Sequence, residues 1–91
     1  MYSVKFHKSF KKALVRCKKR GLNLRLVEEA IDILEETGSL PPSYRPHKLT
    51  GDWAGFWECH IRPDWLMVWS QDDNELLLLF ITTGSHSDIF G

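Results

Sequence analysis

The run from Leu76 to Ile81 is the strongest constraint on how this chain folds. All of its residues are apolar, so both faces of an extended strand here carry hydrophobic side chains. A strand of this kind is stable where other elements cover both of its sides. The sequence therefore predicts a buried strand over residues 75–82, and the remaining segments must supply its neighbours and its cover.

Three further segments, residues 2–6, 56–61 and 65–70, have the composition and the period-two pattern of strands. The last two are joined through Pro63 and Asp64, which are typical turn residues. We therefore expect these two strands to form a hairpin.

A three-residue turn would fix the register of that hairpin. Trp57 would then face Trp69, and Cys59 would face Met67, which creates one apolar face. The opposite face of the hairpin would carry the polar side chains of Glu58 and His60.

Two amphipathic segments between the first strand and the hairpin predict helices. We expect Ser9 to cap the first helix and Gly21 to end it, while Asn23 caps the second and Gly38 ends that one. The short link between them favours an antiparallel helical hairpin. The apolar positions at helical spacing are Phe10, Ala13, Leu14, Cys17, Leu24, Val27, Ala30, Ile31 and Leu34.

The stretch Ser39–Pro46 contains three prolines, so we expect an extended connector there. The predicted order is β-α-α-β-β-β. The fold class is then α+β, with the helical hairpin packed on a mainly antiparallel four-stranded sheet in a single domain over residues 1–91.

The charge is balanced overall but unevenly distributed. Twelve Lys and Arg residues offset twelve Asp and Glu residues, yet no acidic residue occurs before Glu28. The basic first helix would therefore face either nucleic acid or solvent. The two cysteines match no disulfide or metal motif, and no signal peptide or membrane-length apolar run is present, so we expect a cytoplasmic protein.

Three of the four histidines, His47, His60 and His86, lie in the second half of the chain. Imidazole changes its charge near neutral pH, so two such groups can serve as base and acid together. In a meander, His60 and His86 would end at the same edge of the sheet, beside Asp64. That set suits metal-free cleavage of RNA through its own 2′-hydroxyl.

Each of these residues also has a structural interpretation. A single histidine in a strand is commonly a hydrogen-bonding residue, and Asp64 is an ordinary turn former. A zinc site of the three histidines and Asp64 is the other alternative, but the spacing matches no ligand motif. We predict no metal and no cofactor.

Three ordered motifs carry a resemblance to a known family. They are His47-x-Leu49-x-Gly51-x-Trp53-x-Gly55, Glu58-Cys-His60-Ile-x-Pro63-Asp64-Trp65-Leu66 and Thr83-Gly84-Ser85-His86-Ser-Asp-Ile-Phe90. In this order and spacing, the chain resembles the YafQ branch of the RelE/ParE toxin superfamily over nearly its whole length.

The resemblance implies a toxin of a bacterial type II toxin–antitoxin pair that enters the ribosomal A site and cuts messenger RNA. It implies that His86 is the general acid and His47 a candidate general base. His60 and Asp64 would orient the site or stabilise charge, and Phe90 would help to hold the substrate.

Further substrate contacts are expected from the few cations near these motifs and from a stacking aromatic side chain. These residues are Lys48, Arg62 and Trp65. The resemblance also implies a small antitoxin with a ribbon-helix-helix part. The toxin would then contact DNA only indirectly, through that antitoxin. The first helix would then contact the ribosome through its basic residues Lys8, Lys11, Lys12, Arg16, Lys18, Lys19 and Arg20.

The chain departs from its relatives at Thr82, where they commonly carry arginine. Loss of that cation leaves open a second function, an interaction module that keeps the toxin fold and its antitoxin surface without useful catalysis. A gyrase poison of the ParE type is a third reading, in which the histidines would have no use.

Overall fold

A computed structural model describes residues 1–91. Its sheet has five strands in the spatial order β1-β5-β4-β3-β2, with β1 parallel to β5 and every other pair antiparallel. The strands are β1 (Ser3–Phe6), β2 (His47–Lys48), β3 (Trp57–Arg62), β4 (Trp65–Asp72) and β5 (Leu77–Gly84).

The apolar run does form a strand inside the sheet, between β1 and β4. Leu78 and Phe80 are fully buried on one face, whereas Leu79 and Ile81 on the alternate positions are only half-buried. The cover on that second face is therefore partial. β5 also begins later than predicted because Leu76 adopts a positive φ of 52° and belongs to the turn.

The three helices are α1 (Lys8–Lys19), α2 (Arg25–Thr37) and a short α3 (His86–Phe90). Gly21 and Gly38 end the first two helices as predicted, with φ of 82° and 75°. At Gly38 a Cβ atom would come within 2.5 Å of the ring of Tyr2, so the close approach also requires glycine.

The predicted cap of α1 is wrong by two residues. His7 is the N-cap, since its Nδ1 accepts a hydrogen bond from the backbone N–H of Ser9. The hydroxyl of Ser9 instead donates to the carbonyl oxygen of Ile81 and ties α1 to β5. The predicted cap of α2 is wrong by one residue: Leu24 is the N-cap and has no side-chain cap hydrogen bond, while Asn23 just before it accepts from the backbone N–H of Arg25.

The predicted hairpin register is confirmed, because Trp57 pairs with Trp69 and Cys59 pairs with Met67. The helices cover the face that carries these side chains, and the core forms between them. Its fully buried members include Phe10, Cys17, Ala30, Cys59, Met67, Leu78 and Phe80.

The α+β fold is as predicted, but the sheet gains a fifth strand, the two-residue β2 at the edge beside β3. The connector Ser39–Pro46 contains one 3₁₀ turn at Pro42–Tyr44 rather than being wholly extended. None of the helices has the length and apolar character needed to cross a membrane.

Candidate active site

Three imidazole rings line up across the end of the sheet and form what we call the histidine row: His47, His60 and His86. The ring centres of His47 and His60 are 6.2 Å apart, and those of His60 and His86 are 6.1 Å apart. The ring of Phe90 continues the line, 6.5 Å beyond His86. The fold therefore brings together residues from an edge strand, a central hairpin and the last helix.

Asp64 holds His86 at one end of the row. Its Oδ1 atom lies 2.6 Å from Nδ1 of His86 and also accepts the backbone N–H of the same residue at 3.0 Å. The hydrogen bonds from the side chain and backbone of His86 lower the pKa of Asp64 below its ordinary value. An ionised carboxylate only accepts, so Nδ1 carries a proton and Nε2 of His86 is left to exchange one.

The helix that carries His86 is fixed by a second carboxylate. Ser85 and Asp88 form a capping box at the start of α3, and Asp88 also binds the guanidinium of Arg20 through both oxygens. The pKa of Asp88 lies well below its usual range, and the hydrogen bond from Arg20 is the main cause. Arg16 adds a hydrogen bond to the carbonyl oxygen of Thr83. Two arginines of α1 thereby set the position of α3.

His60 occupies the middle of the row and has a single hydrogen bond. Its Nδ1 lies 3.2 Å from the carbonyl oxygen of Pro63, which can only accept. The proton of a neutral His60 therefore sits on Nδ1, and the lone pair on Nε2 has no partner in the protein. That is the protonation state a general base needs.

His47 faces acceptors on both of its ring nitrogens. Nδ1 is 2.8 Å from the carbonyl oxygen of Arg45, and Nε2 is 3.2 Å from Oε1 of Glu58. The side chain of Glu58 is only 5% exposed, and its Oε2 atom is buried with no hydrogen-bond partner. Nε2 of His47 and Oε1 of Glu58 are therefore close enough to form an ion pair when His47 is protonated.

An aromatic cluster borders the Phe90 end of the row. Trp53 contacts Phe90 edge-on, with ring centres 5.7 Å apart, and makes the same kind of contact with Phe56. Phe90 itself is 45% exposed. The cluster therefore holds an accessible ring where a nucleobase can stack.

Two of the predicted substrate contacts do not reach the histidine row. Trp65 is buried in the core, where its indole N–H donates to the hydroxyl of Thr83. The ammonium group of Lys48 lies over the ring of Trp57, which belongs to the opposite face of the sheet. We therefore withdraw Trp65 and Lys48 as substrate contacts, whereas Arg62 lies beside His60 and stays a candidate.

The position of the missing arginine also lies at this end of the sheet. Thr82 pairs with Val68 and is half-buried, and its uncharged hydroxyl does not replace the positive charge of an arginine.

The described side chains form no group of three or more histidine, cysteine, aspartate or glutamate residues arranged to hold a metal ion.

The exposed basic surface of α1 is smaller than the sequence suggests. Arg16 and Arg20 are engaged with β5 and α3, as described above. The cations that stay free on the exposed surface are Lys8, Lys11, Lys12, Lys18 and Lys19.

Four supporting residues were missed in the sequence: Glu58, Ser85, Asp88 and Arg20. Glu58 was placed on the same face as His60 but given no role, because its contact with His47 depends on how the connector folds. The pattern Ser85-x-x-Asp88 is a capping signal that could have been recognised. Nothing local to Arg20 indicates its partner, which lies 68 residues away.

Both cysteines are free and buried. Burial raises the pKa of the Cys59 thiol to about 12, and burial also raises that of Cys17. Because the thiolate is the reactive form, neither cysteine has the character of a nucleophile.

Comparison with known proteins identifies the class. The model of a family described as "Bacterial toxin of type II toxin-antitoxin system, YafQ" matches residues 2–91. The mRNA interferase toxin YafQ of Escherichia coli (strain B / BL21-DE3) is 33% identical over 91 residues, which cover 99% of this chain and 92% of that protein. These matches define a bacterial toxin of a type II toxin–antitoxin system.

Solved structures agree with this class. YafQ in the Escherichia coli DinJ–YafQ complex superposes with a TM-score of 0.88 at 27% identity and covers 100% of both chains. A metal-bound toxin from Helicobacter pylori gives a TM-score of 0.89 at 34% identity, over 99% of this chain and 100% of that one. The present chain belongs to the YafQ family.

Proposed function

We propose that this toxin is an mRNA interferase, a ribosome-dependent endoribonuclease that cleaves messenger RNA by metal-free acid–base catalysis. The observation that carries the proposal is the histidine row, in which Asp64 fixes the proton on Nδ1 of His86 while Nε2 of His60 is left unpaired. An acid and a base thus lie side by side, with ring centres 6.1 Å apart.

The reaction uses the nucleophile that RNA itself supplies. The 2′-oxygen attacks the adjacent phosphorus atom as a base removes its proton, and the bond from phosphorus to the 5′-oxygen breaks. The acid donates its proton to that leaving oxygen. The products are a 2′,3′-cyclic phosphate and a 5′-hydroxyl, and proton transfers of this kind contribute roughly 10²–10⁴-fold each.

His86 is the proposed acid, because the carboxylate of Asp64 stabilises the positively charged imidazolium that must donate from Nε2. The resemblance made His47 the candidate base. The geometry favours His60 instead, since both nitrogens of His47 already face acceptors. The His47–Glu58 pair carries no net charge, so His47 is left to border His60 in the row rather than to act as the base.

The partners follow from the family and from the surface of α1. YafQ of Escherichia coli is found in complex with DinJ, so we assign this chain a cognate antitoxin of the ribbon-helix-helix type. Contact with DNA would be made by that antitoxin. The five free lysines on α1 suit the phosphates of ribosomal RNA, and we propose that the toxin acts in the bacterial cytoplasm, where ribosomes are found.

Expression of the chain with and without its antitoxin tests the proposal. The wild type should arrest growth and cut messenger RNA inside codons, and His86→Gln should lower the cleavage rate by about 10²–10⁴-fold while still binding the antitoxin. His7→Ser is the matched control, because it changes the one histidine outside the site and keeps a capping side chain.

The other outcomes are equally informative. Full toxicity of His86→Gln would remove the acid assignment. Harmless expression of a folded wild type that binds antitoxin would favour the interaction module, and trapped gyrase–DNA complexes would favour the ParE type of activity. Inhibition by a chelator of transition metals, at constant magnesium, would contradict the metal-free mechanism.

A further inference from the structure

We propose that a hollow between the 3₁₀ turn Pro42–Tyr44 and the free edge of β3 binds the nucleotide on the 5′ side of the cut, with Arg45 and Arg62 holding its 5′ phosphate. The inference rests on the proposed function, since it assigns a second subsite to the same RNA. We call this hollow the arginine hollow.

The arginine hollow opens directly beside His60. It consists of two adjoining parts of about 270 Å³ and 170 Å³ that share Ser43, His60, Ile61 and Arg62. It exists because β2 pairs only with Trp57 and Glu58, so the end of β3 has no neighbouring strand on the side away from β4. The unpaired strand edge leaves room for a ligand next to the proposed base.

The two arginines at the hollow have no partner in the protein. Neither guanidinium makes a hydrogen bond or an ion pair, whereas Arg16 and Arg20 are both engaged with neighbouring groups. Arg45, Arg62 and Lys48 are the only cations after residue 37. Two of these three therefore border a single hollow, and guanidinium is the group best suited to bind phosphate oxygens in pairs.

The backbone at Arg45 gives an independent reason. Its φ is 50°, in the left-handed region where glycine or asparagine is accommodated at lower cost. A non-glycine residue in this conformation stores strain of about 1–3 kcal/mol, which proteins keep mainly at ligand-binding positions. The strained residue also presents its carbonyl oxygen to His47, so it joins the hollow to the histidine row.

The order of groups in the row gives the direction of the RNA. His86 protonates the 5′-oxygen of the downstream nucleotide, which therefore lies on the Phe90 side. His60 removes the proton from the 2′-hydroxyl of the upstream nucleotide. The hollow borders His60 but not His86. The part of the RNA that enters it is therefore the part on the 5′ side of the cut.

A chemical double-mutant cycle tests this assignment. A neutral methylphosphonate replaces the phosphate 5′ to the nucleotide that supplies the attacking 2′-hydroxyl, in messenger RNA on a programmed ribosome. We expect kcat/KM of the wild type to fall about tenfold. In the double variant Arg45→Asn, Arg62→Gln the same substitution should cost no more than about twofold, because its partner is already gone.

Two controls separate binding from folding. Arg45→Asn relieves backbone strain, so its thermal midpoint should stay equal or rise while its activity falls. Lys48→Gln removes a cation from the same edge without touching the hollow and should keep the full tenfold effect of the methylphosphonate. An equal methylphosphonate effect in the wild type and the double variant would overturn the assignment.

A binding measurement on the protein alone distinguishes this proposal from the proposed function. A 2′-O-methyl trinucleotide cannot be cut, and it should shift the amide resonances of Ser43, Tyr44 and Ile61 in the wild type but not in the double variant. Such shifts without any cleavage would support RNA binding in the arginine hollow and contradict the proposed endoribonuclease activity. Cleavage with no shifts and no effect of the arginines would do the opposite.

Discussion

The two ends of the histidine row are supported in opposite ways. At the His86 end, Oδ1 of Asp64 and both oxygens of Asp88 accept hydrogen bonds, and arginines of α1 hold the helix in place. At the His47 end, support comes from a two-residue strand and from a buried carboxylate that has one oxygen unpaired.

The difference shows which interactions position the histidine at each end of the row. The His86 end depends on charges that water can reach, so it should respond to salt and acid. The His47 end depends on a buried charge that costs stability, which is a common feature of functional sites. The predictions below separate the two ends, starting with the largest expected effect.

Replacement of Asp64 should cause the largest loss. Asp64→Asn introduces an amide that can donate to Nδ1 of His86 and so favour the wrong tautomer, and we expect single-turnover cleavage to fall by about 10²–10⁴-fold. Asp32→Asn, on the outward side of α2, is the matched control. A loss no larger than that of the control would show that Asp64 does not set the proton position.

Replacement of Glu58 should separate stability from activity. Glu58→Leu removes a buried carboxylate with an unpaired oxygen, so the free energy of unfolding should rise by about 1 kcal/mol. Cleavage should fall about tenfold, because His47 loses the partner that orients it. Denaturant titration and single-turnover assays measure the two effects. A variant that loses both stability and activity would contradict this account.

Replacement of Asp88 should have the smallest effect and should depend on pH. Its pKa is lowered in the folded state, so its contribution to stability is present above about pH 4 and is lost as the pH falls through the lowered value. Asp88→Asn keeps an oxygen for the cap but loses the charge that binds Arg20. We expect activity to fall about two- to fivefold.

Hydrogen exchange at Ile89 and Phe90 measures the same effect locally. In the wild type, protection of these amides should stay constant above about pH 4 and decrease as the pH falls below it, whereas in Asp88→Asn it should already be low and change less. The pKa of Asp64 is lowered in the same direction. Exchange that is independent of pH in the wild type would show that the carboxylates do not hold α3.

The sequence predicted those parts of the fold that local patterns encode. The longer strands, the first two helices and the pairing of Trp57 with Trp69 follow from periodicity and from the length of one turn. Convergence of His60 and His86 beside Asp64 was also expected from the meander, and the structure brings these residues together.

The remaining features depend on contacts that no local pattern records. A strand of two residues is too short to show a period, so β2 was missed. The contact of His47 with Glu58 depends on the path of the connector, and the pairing of Arg20 with Asp88 spans 68 residues. Trp65 was misassigned because an aromatic residue beside a motif has the same sequence signature in the core as at a surface.

The parallel pairing of β1 with β5 has a consequence for how the chain folds. Tyr2 bonds to Asp73, 71 residues away, and Ser9 bonds to Ile81 across 72 residues. Contacts between such distant segments close large loops and slow the search for the native state. While a ribosome is still translating the chain, the first strand has no neighbour, and its apolar side chains await a segment made much later. We therefore expect the newly made toxin to spend a measurable time in an inactive, partly collapsed state. Because the incomplete chain is inactive, it cannot cut the messenger RNA from which it is being translated.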